Sequence, residues 1–237
     1  MKIAGFVKTT LLDYPGHLAC TVFTQGCNMR CPFCQNGSLV LPDYFEEPLD
    51  TEEILAHIRK RSSILEGVCI TGGEPTLMPD LKDFIKEIKD MGLLVKLDTN
   101  GTDPEKVKNL IEEKLIDYVA MDIKASPEEY AKVCGLPEIA FDKIRTSVDL
   151  LKSSGISHEF RTTLVKGLHT EESVKALAKW LSGPDAYFLQ SYREEDGVIA
   201  VLNHSGAEFD SFSTEELENL LLIVKEYMPA ASLRGIE

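Results

Sequence analysis

The sequence predicts an α/β fold, a partial (β/α)6 barrel on a parallel sheet with short N- and C-terminal extensions. Three observations carry this. Six apolar or β-branched runs of strand length recur along the chain. Apolar stripes at helical spacing lie between them. The repeat is about 29 residues, the length of a strand–helix pair. Strands that alternate with helices pair in parallel. Eight such units take roughly 250 residues, so six units suit a chain of 237 residues better.

The first strand is expected at 19–24 and the second at 68–71. Between them Asp50-Thr51-Glu52-Glu53 reads as a capping box that opens a helix carrying Ile54, Leu55 and Ile58. Leu81, Phe84, Ile85 and Ile88 form the next stripe, with Gly92 as its C-terminal stop. A third strand follows at 93–97. Asp103-Pro104 then sets a cap and a proline at the first helical position, ahead of Val107, Leu110 and Ile111. The fourth strand is expected at 118–121. Ile144, Val148 and Leu151 make a stripe closed by Gly155, before a fifth strand at 158–164. Thr170 opens a helix with Val174, Leu177 and Leu181, and the sixth strand lies at 186–190. Ser213-Thr214-Glu215-Glu216 caps a last helix. One domain over 1–237 is expected, with its core at about 19–190 and a helical extension at about 191–237.

Hydrophobic residues make up 43% and charged residues 27%, the composition of a folded globular chain. Acids outnumber bases, 39 to 25, for a net charge of −14. Such a surface repels phosphate backbones, so nucleic acid is not an expected partner. No apolar run reaches membrane-spanning length, and the N-terminus lacks the pattern of a signal peptide. A cytoplasmic location follows, where thiols stay reduced. Asp43, Glu46, Glu47, Asp50, Glu52 and Glu53 form an acidic stretch without a base. It reads as solvated surface or as a docking patch for a basic partner.

Six cysteines are present, and Cys27, Cys31 and Cys34 fall within eight residues, just after the first strand. The spacing is C-x3-C-x2-C. Three thiolates on one loop can grip three irons of a cubane cluster and leave a fourth iron open to a small molecule. A structural zinc site wants four ligands, usually as two pairs. No second pair exists, and the five histidines are scattered. An electron-carrying cluster needs a fourth cysteine, for which Cys69 is a candidate. Otherwise Cys20 and Cys69, on strands, read as core residues, and Cys134 has no assigned role.

Barrels of this kind gather chemistry at the C-terminal ends of their strands. The second strand ends in Thr71-Gly72-Gly73-Glu74-Pro75, where two glycines allow close backbone approach to a ligand. The third ends in Asp98-Thr99-Asn100-Gly101, which offers acceptors for ribose hydroxyls or forms a plain turn. The fourth ends in Asp122-Ile123-Lys124, an acid and a base on one face. On the fifth, Glu159, Arg161 and Thr163 alternate with apolar neighbours and face the interior. Arg161 suits a ligand carboxylate, or an ion pair with Asp122 or Glu159. The sixth offers the Gln190 amide.

The cysteine spacing with aromatic Phe33 before the last cysteine, followed by Gly72-Gly73-Glu74-Pro75, resembles the radical S-adenosylmethionine (SAM) enzymes, whose usual fold is also a partial (β/α)6 barrel. The resemblance implies a [4Fe–4S] cluster on Cys27, Cys31 and Cys34, and SAM bound through Phe33, Gly72, Gly73, Glu74, Asp98, Asn100, Asp122, Lys124, Arg161 and Gln190. It implies reductive cleavage of SAM to methionine and a 5′-deoxyadenosyl radical, with no general acid or base. Asp98-Thr99-Asn100-Gly101, then Asp122-Ile123-Lys124, then a strand arginine resemble the activases of glycyl-radical enzymes within that family. So does Thr9-Thr10-Leu11-Leu12-Asp13-Tyr14-Pro15-Gly16, in which Asp13 would contact the glycine-bearing backbone of the partner. Together with Ala19 to Gly37 this stretch is most similar to the activases of anaerobic ribonucleoside-triphosphate reductase. That resemblance implies the reductase large subunit as partner and a one-electron donor such as flavodoxin or ferredoxin. The alternatives are an activase of the pyruvate formate-lyase type and a radical SAM enzyme acting on a small molecule. Many activases carry His where Gln190 stands. Some insert a ferredoxin-like module after the cluster, for which the segment from Cys34 to Asp50 leaves no room.

Overall fold

A computed structural model describes residues 1–193, 197–204 and 209–235. Among them, eight strands form one sheet in sequence order: β1 (Ile3–Thr10), β2 (Ala19–Thr24), β3 (Gly67–Gly72), β4 (Leu94–Thr99), β5 (Tyr118–Asp122), β6 (Ser157–Leu164), β7 (Tyr187–Ser191) and β8 (Ala231–Arg234). β1 pairs antiparallel with β2, and every later pairing is parallel. The helices are α1 (Gly37–Val40), α2 (Thr51–Arg61), α3 (Leu81–Asp90), α4 (Pro104–Glu112), α5 (Tyr130–Val133), α6 (Phe141–Ser154), α7 (Glu171–Leu181), α8 (Ile199–Leu202) and α9 (Thr214–Lys225).

The six expected strands are β2 to β7, each within a residue or two of its expected bounds. The flanking strands differ from expectation. β1 lies at the sheet edge with Val7 42% exposed, so it lacks the clean alternation of a half-buried strand. β8 has four residues, too few to display a period. The expected helical extension at 191–237 therefore ends in a strand that pairs with β7, Gln190 opposite Arg234; residues 194–196, 205–208 and 236–237 of that extension lie outside the described residues.

The helix signals act largely as written, though at Asp50 only the side-chain-to-amide half of the expected capping box forms. Asp50 accepts from the Glu52 and Glu53 amides. Ser213 and Glu216 exchange both bonds of a capping box. Gly155 closes α6 in the left-handed conformation. The helices turn their apolar stripes onto the sheet, and Ile58, Ile85, Ile88, Ile144 and Leu181 are fully buried against it. The opposite face of the sheet is the barrel interior, and it is polar: Lys96 and Glu159 sit there almost without exposure. A buried charge requires a partner, and this face is where those partners meet.

Candidate active site

The end of β2 leads into the cysteine loop, and the end of β3 holds that loop in place by backbone alone. Gly73 N–H donates to the Thr24 carbonyl at 2.9 Å, and Glu74 N–H to the Gly26 carbonyl at 2.8 Å. A Cβ on Gly73 would stand 2.0 Å from the Gly26 carbonyl oxygen, and one on Gly72, at φ +114°, 2.4 Å from the Thr24 nitrogen. The two glycines thus admit a neighbouring strand's loop, as well as lining the cavity.

The loop is braced from several sides. Arg30 Nη1 donates to the carbonyls of Cys27 (2.6 Å) and Met29 (2.7 Å). Asn36 Nδ2 reaches the Gly72 carbonyl at 3.0 Å. The segment leading into α8 clamps the outside, with Ile199 N–H on Cys34 O (3.0 Å) and Ala200 N–H on Pro32 O (2.9 Å). Phe33, buried, meets the edge of His169. His169 accepts Val165 N–H at Nδ1 and faces the Lys124 carbonyl at 2.9 Å with Nε2, which fixes Nε2 as its protonated nitrogen.

All fourteen side chains or glycines expected at the site line one cavity of about 410 Å³: Asp13, the three cysteines with Phe33, the Gly72-Gly73-Glu74 turn, Asp98, Asn100, Asp122, Lys124, Arg161 and Gln190. Their bonds refine the expectations. Glu74 is 1% exposed and accepts from Thr76 N (3.1 Å), Thr76 Oγ1, Thr99 Oγ1 (2.7 Å) and Asn100 N (2.7 Å). Its carboxylate joins the β3 turn to the end of β4. Burial pushes its pKa up, and those four donors oppose the shift. Asn100 bonds to Asn28 (2.9 Å) and Thr102 (2.7 Å), tying the β4 end to the cysteine loop.

Arg161 forms the ion pair expected as its alternative role, and a second one besides. Its Nε donates to Asp122 Oδ1 (2.9 Å) and its Nη1 to Asp98 Oδ2 (3.0 Å). Asp98 also pairs with Lys96, and Asp122 with Lys124 at 3.0 Å. A ladder Lys96–Asp98–Arg161–Asp122–Lys124 therefore crosses three strands and holds one positive charge in excess. Burial opposes the charge on Asp122, but Arg161 and Lys124 outweigh it and hold the carboxyl well below its usual range. Burial likewise opposes the charge on Lys124, and Asp122 with Cys31 outweighs it, so its pKa is raised. Asp98 thus reaches a ligand with both oxygens already engaged. Expected partner Glu159 instead takes Arg234 of β8, at 2.9 and 3.1 Å, with Tyr118 Oη donating at 3.0 Å.

Two residues escaped the reading of the sequence. Cys69, expected in the core, is buried but lines the cavity, its thiol 3.8 Å from Asp98 Oδ1. Lys96 stands two residues before Asp98 on one strand, so the two-residue period was the signal that could have found it.

The donor set fits a cluster. Burial pushes the Cys27 thiol up to about 12 and raises Cys34 also, while Lys124 pulls both down. Buried thiols of this kind give up their protons to a metal. Among the described residues no three His, Cys, Asp or Glu converge on a point as for a bare ion. A cube holds its irons at separate corners, and three thiols around a cavity suit it. Sulfur donors are also those iron–sulfur clusters take.

The Radical SAM superfamily model matches residues 21–181. A protein of Methanocaldococcus jannaschii named as a glycyl-radical enzyme activating enzyme is 32% identical over 238 residues, covering 99% of this chain and 96% of that one. The pyruvate formate-lyase-activating enzyme of Clostridium pasteurianum is 29% identical over 188 residues, 75% of this chain and 74% of its own. Among solved structures, Streptococcus suis SuiB bound to S-adenosylmethionine superimposes with a TM-score of 0.68 at 15% identity, over 90% of this chain and 48% of that one, a likeness of fold. The chain spans about half of SuiB. With the family model matched across most of the chain, and the sheet and sulfur-lined cavity in place, this protein belongs to the radical SAM superfamily and is an enzyme that works with a [4Fe–4S] cluster and S-adenosylmethionine.

Proposed function

We propose that this enzyme activates a glycyl-radical enzyme by removing one α-hydrogen from a glycine of that partner. The observation that carries this reading is the convergence of the cysteine loop, the glycine turn and the charged strand ends on one cavity that Asp13 also lines. Similarity to two proteins named as activating enzymes supports it. In this reading Cys27, Cys31 and Cys34 hold the cluster. The bound cluster and SAM supply a carbon radical that abstracts hydrogen.

The chain's own residues bind and orient. Gly72, Gly73 and Phe33 would shape the wall beside the cluster, and Glu74, which fixes that wall, would meet the amino group of SAM. The positive excess of the ladder, at Lys124 and Arg161, would attract the carboxylate of SAM, while Asp98 and Asn100 would offer acceptors to its ribose and Asp122 would keep Arg161 and Lys124 in place. Gln190 lines the cavity near Asp13 and completes the contacts. No proton needs to move between side chains in this reading.

Asp13 faces the cavity from the segment after β1, where Thr21 Oγ1 donates to it. Tyr14 beside it is buried and anchors the segment, while Leu11 and Leu12 are 73% and 90% exposed. Two exposed leucines next to a cavity-lining carboxylate suit a protein partner better than a metabolite. The partner we propose is the large subunit of anaerobic ribonucleotide reductase, on the resemblance of residues 9–16. The similarity to the Clostridium enzyme favours a second reading, pyruvate formate-lyase. Flavodoxin or ferredoxin is the proposed class of electron donor.

The test mixes reconstituted protein, reductant and SAM anaerobically with each candidate partner and records the EPR spectrum. A glycyl doublet with the reductase supports the proposal, one with the lyase alone selects the second reading, and SAM turnover on a metabolite without any partner overturns both.

A further inference from the structure

Asn28 stands exposed in the cysteine loop, one residue after Cys27, and belongs to none of the expected contacts. Its side chain is nevertheless held. Nδ2 donates to Thr102 Oγ1 at 2.8 Å, and Oδ1 accepts from Asn100 Nδ2 at 2.9 Å. Thr102 Oγ1 donates in turn to Asn100 Oδ1 at 2.7 Å. The three side chains close a ring in which each donates to the next and accepts from the one before. Bonds in such a chain polarise one another. The Thr102 amide also donates to Asn100 Oδ1, at 3.1 Å, which keeps the Asn100 amide in one orientation.

The ring ties the loop to a turn that is itself fixed from beneath. Asn100 N–H donates to Glu74 Oε2 at 2.7 Å, and Gly101 N–H to Thr99 Oγ1 at 3.1 Å. The Gly101 carbonyl accepts from Ser147 Oγ of α6 at 2.7 Å. Glu74 and Ser147 are both 1% exposed, so these bonds are shielded from water. The stretch between Cys27 and Cys31 is thus pinned twice. Asn28 joins it to the turn after β4, and the Arg30 amide joins it to the Cys134 carbonyl at the end of α5, at 2.9 Å. The β4 end also carries Asp98 and Asn100, which line the cavity together with Cys27 and Cys31. Opening the ring would free the Cys27 side of the loop to shift against them.

We infer that Asn28 and Thr102 are positioning residues that lock the cysteine loop to the β4 end and so hold the cluster in register with SAM. This rests on the reading of Cys27, Cys31 and Cys34 as the iron ligands and of the β4 end as a SAM contact. Neither Asn28 nor Thr102 lines the cavity, so their effect on SAM is transmitted through the loop and the turn. A pair that merely stiffened the loop would change iron retention and leave SAM affinity alone.

The experiment uses the full chain, reconstituted anaerobically, as the unaltered protein and as Asn28→Ala, Thr102→Val, Thr102→Ser and the double variant Asn28→Ala with Thr102→Val. Iron is counted, SAM affinity per cluster is measured by equilibrium dialysis, and the EPR spectrum of the reduced cluster is recorded with and without SAM. About four irons are expected in each protein. Asn28→Ala and Thr102→Val should each bind SAM about fivefold more weakly, the net worth of about one hydrogen bond. Their spectra with SAM should depart from that of the unaltered protein. Thr102→Ser keeps the hydroxyl and should bind SAM as the unaltered protein does. The double variant should also lose about fivefold rather than about 25-fold, because partners in one network are not additive and a ring opens only once. Unchanged SAM affinity in both single variants would overturn the inference, whether or not iron is lost. So would a serine protein that moves with valine, or single losses that multiply in the double variant. An unaltered protein without its irons, or with them and no affinity for SAM, would overturn the ligand reading instead.

Discussion

Glu74 shows how a residue can be legible in a sequence while its work is not. Its place in a double-glycine turn marks it as part of the site, but the four donors around it come from two strand ends far apart in the chain. No local pattern announces Thr99 as its partner. Removing the carboxylate leaves buried donors unpaired, each costing about 1–3 kcal/mol. Glu74→Ala should therefore lose at least about 3 kcal/mol of stability in anaerobic chemical denaturation. Thr99→Val, which removes one donor, should lose about 1 kcal/mol. Equal midpoints for the alanine variant and the unaltered protein would show that Glu74 is not a structural tie. Cys69 makes the same point in reverse. A cysteine inside a strand reads as packing because packing is its commonest use, and only the neighbouring strand's Lys96 and Asp98 reveal that its face is the cavity.

At the scale of elements, β2 to β7 could be read because each is a short apolar run followed by a helix whose cap and stop are written in its residues. β1 and β8 could not, because edge strands and four-residue strands carry little pattern. Their contribution is nevertheless specific. Arg234 of β8 is 37% exposed and bonds twice to Glu159, which is almost wholly buried. Arg234→Met should leave that carboxylate half-partnered, with Tyr118 alone. A loss of about 2 kcal/mol is expected, discounted for the exposure of the arginine, and Glu159→Gln in the same chain should restore most of it. The contact between turn and loop gives a sharper test. Gly73→Ala must push the Gly26 carbonyl aside, so the variant should bind well under half the iron of the unaltered protein while keeping its far-ultraviolet circular dichroism. Full iron in this variant would mean the two loops are not held together as described.

For the molecule as a whole, the buried His169 predicts a pH dependence. Burial lowers its pKa from the ordinary 6.5. As pH falls through 6.5 the unfolded chain takes up a proton that the folded chain refuses, so the unfolded state is favoured. Stability from this group is complete above pH 6.5 and declines below it. Urea midpoints should fall between pH 7.5 and 5.5, and His169→Gln should flatten that part of the decline. Among the described residues no helix is long and apolar enough to cross a membrane. The net charge of −14 contrasts with the buried ladder, where three bases meet two acids. The acidic excess is on the outside, where Asp43 to Glu53 is mostly exposed.

The central claim is that hydrogen passes from a glycine of a partner protein to a carbon radical formed in this cavity. The most direct measurement uses a candidate partner labelled with α-deuterated glycine, mixed anaerobically with the reconstituted enzyme, reductant and SAM. Mass spectrometry of the recovered 5′-deoxyadenosine should find one deuterium for each glycyl radical counted by EPR. A glycyl radical formed while the 5′-deoxyadenosine carries no deuterium would contradict the account.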